Sequence, residues 1–331
     1  MNSEWSEFLA SRAEPVRGAV GIGCALNDLS HYGLIRVTGE DAESFLQGQM
    51  TNDMRQVTET HSNLAGWCNA KGRMLAGFRC FRRGEAFYLQ TPLENLSPVL
   101  SRLKLYVLRS QVEISDASDE LVRIGCTGAC SEALLQPFFD ELPQQVNDVR
   151  QQDRMTLIRL PGAGPRFEVI GPTEQLLEIW QTAEAQAPRM DEDFWALQEI
   201  RAGIPTLFQS TREAFVPQMT NMQLIDGVSF AKGCYTGQEV VARMQYLGKL
   251  KRRMYLAHVD TTTLPSPGDE LFARGSTSGQ GAGKVVDARA NNGGYDLLAV
   301  IEIASAEEEE VCLGENGPKL EILNLPYRYA E

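Results

Sequence analysis

Residues Lys232-Gly233-Cys234-Tyr235-Thr236-Gly237-Gln238-Glu239 set a thiol between two glycines, with an amine two positions before it. Thr236 and Glu239 have the Thr-x-x-Glu spacing of a helix capping box. Residues 228–231 read as a short strand and 240–244 as the first turns of a helix. A thiol in a Gly-rich strand-to-helix turn lies near the positive end of the helix dipole, which favours a thiolate or binds an anion. Cys234 is then a nucleophile, a redox thiol or a transient metal ligand, Lys232 supports its thiolate, and Glu239 serves the cap. The same spacing suits a buried cysteine in a tight capped turn, and spacing alone leaves both readings open.

No other cluster reads as a metal or nucleotide site. Cys24, Cys68, Cys80, Cys126, Cys130, Cys234 and Cys312 contain no Cys-x-x-Cys, and Cys126 and Cys130 have no partner at zinc-finger spacing. An odd count of scattered cysteines fits a reducing compartment. His31, His61 and His258 show no metal spacing, so no metal is expected. The glycine-rich run from Gly279 to Lys284 lacks the phosphate-loop spacing and a following helix.

The charge balance, 31 basic against 44 acidic residues, gives −13. Such a surface repels nucleic acid, so extensive direct nucleic-acid binding is not expected. The balance is uneven: residues 232–253 hold six basic residues and one acidic. That stretch is either a solvated, edge-protecting basic strand or a binding patch. Lys71, Arg73, Arg79, Arg82 and Arg83 form a second basic run. No stretch approaches the ~18 apolar residues of a membrane span. The N-terminus lacks the basic start and apolar core of a signal peptide. A cytoplasmic protein without a membrane partner is expected.

The elements that must position these residues read as α+β. Helical spacing predicts helices over 41–50, 94–109, 131–141, 173–185 and 191–202, and a hairpin turns at Arg83-Gly84. After about residue 250 short strands recur, with hairpin signals at Asn291-Asn292-Gly293-Gly294 and at residues 314–317. Glu307 to Glu310 reads as a solvated loop. The expected organisation is two α+β units, 20–118 and 119–249, followed by a small β-barrel, 250–331.

The octapeptide resembles the signature of the YgfZ family of folate-binding proteins. Supporting matches are Phe45-Leu46-Gln47-Gly48-Gln49 with Thr51 and Asp53, Asn69-Ala70-Lys71-Gly72-Arg73-Met74, and Phe215-Val216-Pro217-Gln218 with Thr220-Asn221. The family is similar in fold to the glycine-cleavage T-protein, an aminomethyltransferase that uses tetrahydrofolate. The resemblance implies a T-protein-like folate-binding fold, tetrahydrofolate or a derivative as ligand, and Cys234 as the reactive residue. It also implies support of iron–sulfur proteins, tRNA thiomethylation, and through it an influence on replication initiation, with iron–sulfur proteins or their assembly factors as transient partners. For folate it points to Trp195 and to Tyr32, where the family's best-known form has tryptophan. Glu199 and Arg201 stand where the T-protein has a pterin-contacting helix, with the charges exchanged. Arg243 and the cations near it could hold the anionic tail.

Two alternatives share that fold: a folate-dependent one-carbon transferase and a non-enzymatic folate-bound scaffold. The T-protein's Asp-Asp pair falls here on Ala76 and Gly77, which counts against aminomethyl transfer and a classical enzyme. One thiolate cannot hold an iron–sulfur cluster alone, so a handled cluster needs ligands from a partner, glutathione or a second chain.

Overall fold

Antiparallel strands and short helices alternate along the chain and build three sheets, the mixed α+β architecture expected from the periodicities. The computed structural model describes residues 2–18, 23–274, 281–308 and 310–329. The expected start of the first domain at residue 20 lies outside them, as do Gly279 and Gln280 of the glycine-rich run. The chain divides into two units, each assembled from separated stretches: residues 1–46, 54–63 and 78–195, and residues 47–53, 64–77 and 196–331.

In the first unit a six-stranded sheet runs in the order Arg189–Met190, Cys24–Asp28, Val122–Gly128, Arg166–Gly171, Met155–Arg159, Val149–Gln152. Successive side chains alternate between its faces. Leu26, Ile124, Cys126, Phe167 and Val169 pack on one side with Trp5 and Leu9 of helix Ser3–Ala10. Leu176, Ile179, Trp180 and Ala183 of helix Thr173–Ala183 join the same core at helical spacing. Strand neighbours of these residues, Asn27, Arg123, Arg166 and Glu168, are buried although polar.

A five-stranded sheet has the order Asn63–Cys68, Met74–Arg83, Ala86–Pro92, Tyr32–Thr38, Glu113–Asp116. The hairpin at Arg83-Gly84 is present, with Gly84 at φ 54°. Helix Leu93–Lys104 buries Leu96, Val99 and Leu103. It stops short of the expected residue 109: Leu105 is exposed, and Leu108 takes φ 49°, which a right-handed helix cannot contain.

In the second unit six strands form a curled, half-barrel sheet in the order Cys312–Leu313, Glu270–Phe272, Gly283–Asn291, Gly294–Glu302, Arg252–Val259, Leu320–Leu323. A bridge from Cys312 to Lys319 ties its two ends. The hairpin at 291–294 turns through Asn292 at φ 47° and Gly293 at φ 83°, the double left-handed geometry of a type I′ turn. Two local expectations fail here. Of the acidic run 307–310, expected as a solvated loop, Glu307 and Glu308 end a helix, Ile303–Glu308, and Glu309 lies outside the described residues. Residues 228–231 are irregular rather than a strand, because their backbone is tied to the 47–53 segment instead of a ladder.

Candidate functional site

The site in the second unit begins with two interlaced segments. Thr51 Oγ1 donates to Gly227 O at 2.7 Å and accepts from Gly66 N at 2.7 Å. Asn52 Nδ2 donates to Leu64 O (2.8 Å) and Asp226 O (2.7 Å), and Ser229 N donates to Thr51 O (3.0 Å). Lys232 completes the junction. Its buried Nζ donates to Gln47 O (2.7 Å), Met50 O (2.6 Å) and Asn52 O (2.9 Å). Three carbonyls match an ammonium's three donors. The amine therefore holds the 47–52 loop, and these bonds do not serve the expected support of a Cys234 thiolate.

Beyond Lys232 the chain arches outward and returns. Gly233 and Cys234 are exposed, whereas Tyr235 is buried. Burial, then the neighbouring Cys68, holds the Tyr235 phenol well above its ordinary range. Gly237 then starts helix Gln238–Tyr246 with φ 84°. A Cβ on Gly237 would run into Asn69 O, and one on Gly72, itself at φ 69°, would lie 2.9 Å from Val240 Cβ. Asn69 Oδ1 accepts from Lys71 N (2.9 Å) and Arg73 N (3.1 Å), so a locked turn abuts the helix start.

This corrects the expected capping box. The cap is glycine, with no side-chain capping bond, because the close approach of the 69–73 turn demands a left-handed residue without a Cβ. Glu239 is exposed and free of the cap; Thr236 and Gln238 are half-buried.

The arrangement presents one thiol. Cys68, Cys80 and Cys126 are buried, Cys312 is half-buried, and Cys234 is exposed. Burial pushes Cys68 and Cys126 up to about 12. Cys24 and Cys130 form a disulfide pair across 106 residues, Cα–Cα 5.8 Å, which sequence spacing did not suggest. Among the described residues no group of three or more His, Cys, Asp or Glu could hold a metal ion.

The other nominated residues fall in separate surroundings. In the first unit Trp195 joins a core that Tyr32 packs against. Trp195 is 1% exposed, and the Arg166 guanidinium lies 3.9 Å from its ring centroid. Gly125 abuts the ring, and any Cβ there would enter it. Tyr32 keeps a partly exposed ring, tilted against His31 at 4.4 Å. Its backbone carbonyl accepts from Arg123 Nη2 at 2.9 Å. Burial lowers the Arg123 pKa, and Glu168 opposes that shift. Tested against a flat pterin, the partly exposed Tyr32 could offer a ring face, whereas Trp195, at 1% exposure, could not.

In the second unit Arg201 Nε bonds Asp296 Oδ2 at 3.1 Å. Asp296 also accepts from Asn291 Nδ2 at 2.9 Å and meets His258 Nδ1 at 2.8 Å. Glu199 is buried, and Arg243 is exposed in the last turn of its helix.

Sequence reading missed Arg123, Gly125, Arg166 and Glu168. The available signals were a glycine inside an apolar strand and an Arg-x-Glu alternation in another.

The fold is of the glycine-cleavage T-protein class. The glycine cleavage system aminomethyltransferase T of Bartonella henselae is similar to it with a TM-score of 0.67 at 17% identity, over 97% of this chain and 88% of that one. The GCVT N-terminal domain family matches residues 2–159. In sequence, the tRNA-modifying protein YgfZ of Yersinia pseudotuberculosis serotype O:1b (strain IP 31758) is 32% identical over 321 residues, 96% of this chain and 97% of that protein. That of Shigella boydii serotype 4 (strain Sb227) is 32% identical over 307 residues, 92% and 94% of the two chains. The chain belongs to the YgfZ family. No helix among its described residues is long and apolar enough to cross a membrane.

Proposed function

We propose that this chain is a tetrahydrofolate-binding accessory protein of tRNA modification, acting through the exposed thiol of Cys234. The relatives' description as tRNA-modifying proteins and the T-protein-like fold support the class. The observation that carries the residue is the arch itself. Lys232 and Tyr235 are sunk into the protein, and the cysteine between them is held out. In this reading the modification is thiomethylation, reached by maintaining iron–sulfur proteins, and an effect on replication initiation would follow from it. An iron–sulfur cluster would be cargo, with Cys234 contributing one ligand and a partner the rest.

Tetrahydrofolate, when bound, supplies a one-carbon carrier. This chain's part is to bind it: Tyr32 stacks, Trp195 braces, and Glu199, Arg201 and Arg243 are the polar residues to test singly. Ala76 and Gly77, where aminomethyl transfer would need carboxylates, favour binding over that chemistry. The reading keeps a cytoplasmic setting and the division at residues 118–119 and 249–250.

The test joins a tetrahydrofolate titration, followed by tryptophan fluorescence with Trp195→Phe as control, to a cellular assay of thiomethylated tRNA and iron–sulfur enzyme activity. Saturable quenching, with a Cys234→Ala protein that binds folate yet fails in cells, is the expected result. Absence of quenching would remove folate. Full rescue by Cys234→Ala would remove the thiol and favour a folate-bound scaffold.

A further inference from the structure

The basic stretch read from the sequence divides, in the structure, into spent and unspent charges. Arg252 Nη2 pairs with Glu302 at 3.3 Å, and Arg253 Nη2 pairs with Glu307 at 2.9 Å while its guanidinium lies over the Tyr329 ring at 3.7 Å. These two belong to the half-barrel. Arg243, Lys249 and Lys251 are exposed and form no ion pair among the described residues. Between Val240 and Lys251 there is no acidic residue. On a chain of net charge −13 this is a local reversal of sign.

The same stretch exposes apolar surface. Tyr246 is 69% exposed and Leu247 84% exposed, at the end of helix Gln238–Tyr246. Tyr246 meets Phe230 in a T-shaped contact, ring centroids 6.0 Å apart, so the ring is positioned while most of the residue stays exposed. Phe230 precedes the Lys232–Cys234 arch by two residues. A held aromatic face among unpaired cations is the chemistry that receives an unstacked base and its flanking phosphates. A protein partner would ask for a broader apolar patch with fewer like charges.

We propose that residues 243–251 are an RNA-docking surface, with Tyr246 stacking on an unpaired base and Lys249 and Lys251 contacting the adjoining phosphates. The sign reversal makes the contact local, since the rest of the chain repels a polyanion. Binding is confined to a few nucleotides, as the sequence expectation of no extensive nucleic-acid contact requires. The proposal rests on the tRNA reading above for the choice of RNA; Phe230, which seats the Tyr246 ring, lies four residues before Cys234 in the chain.

The test uses the full chain and a fluorescein-labelled, unmodified tRNA transcript in anisotropy titrations at 50 and 200 mM salt. Wild type should bind, more weakly at the higher salt. Lys249→Ala/Lys251→Ala should bind about ten-fold more weakly at 50 mM, with a log–log salt slope shallower by about 1.4, two phosphate contacts at ~0.7 each. Tyr246→Ala should bind about five-fold more weakly with an unchanged slope. All three side chains are exposed, and circular dichroism melts should match wild type. Absence of binding by wild type, or equal binding by wild type and either variant, would overturn the proposal.

The cellular tRNA assay separates this from the reading it rests on. Cys234→Ala failing while Lys249→Ala/Lys251→Ala fully restores thiomethylation would sink the docking surface alone. A double variant that fails in cells when wild type binds no RNA would give this face to a protein partner and likewise overturn the RNA assignment.

Discussion

Lys232 Nζ lies 5.1 Å from the centroid of the Tyr235 ring, and both residues are buried, at 6% and 7% exposure. Gly233 and Cys234, between them, are exposed. A cation and an aromatic ring three residues apart thus anchor both ends of a two-residue arch, and the thiol's presentation depends on both.

Removing the first anchor should be costly. Lys232→Met takes the ammonium donor from three carbonyls, two buried and one partly buried, and the lost charge-assisted bonds predict destabilisation of about 3 kcal/mol in urea unfolding. Lys232→Arg should not restore it, since a planar fork cannot aim at three converging oxygens. Wild-type stability in Lys232→Met would refute the account.

Gly237→Ala tests the glycine cap. The φ of 84° and the approach of Asn69 O leave no room for a methyl group. A loss of about 2–4 kcal/mol is expected from strain and steric displacement together. Calorimetry gives the loss, and faster proteolysis near residue 237 should accompany it. By contrast Gly233→Ala, where a Cβ meets nothing within 4 Å, should leave the melting temperature nearly unchanged.

Thiol labelling should separate the cysteines. Cys68 and Cys126, pushed up to about 12 by burial, hold a thiolate fraction of about 10⁻⁴ at pH 8 and are shielded from reagent. Iodoacetamide on the native protein should modify Cys234 first, read by peptide mass spectrometry. Early modification of Cys68 would contradict the burial of the Tyr235 side of the arch.

Gly125→Ala should disturb the first unit through Trp195. A methyl group there enters the indole, so overpacking of about 1–3 kcal/mol is expected, with an altered tryptophan emission. Combining it with Trp195→Leu should recover part of the loss. Additivity of the two would show that they do not touch.

The half-barrel should carry a pH dependence centred on His258. Its hydrogen bond to Asp296 raises its pKa against the opposing effect of burial. A folded pKa above the unfolded value of about 6.5 means the stabilisation is complete below pH 6.5 and fades as pH rises through the folded pKa. Chemical denaturation between pH 5.5 and 8.5 should show that decline in wild type and a flatter profile in His258→Gln.

The amphipathic helices, the 83–84 and 291–294 hairpins and the strand-rich texture after residue 250 were legible in the chain because helical spacing and left-handed turn residues act locally, though the helix at 303–308 was not. The octapeptide was legible too: two glycines around a cysteine announce a special backbone, and in this chain the family follows from it. What Lys232 does was not legible. Its partners are carbonyls 180 to 185 residues away, and backbone oxygens leave no mark on the sequence. The false capping box has the same origin: Thr-x-x-Glu spacing is local, but the choice of Gly237 as cap was made by a distant turn pressing on it. So was the enclosure of Trp195, fixed by Gly125 and Arg166 on neighbouring strands. Sequence alone determined that a thiol stands in a glycine turn. Tertiary packing decided that the thiol faces out while its neighbours face in, because burial of an amine requires three converging oxygens that only the folded chain supplies.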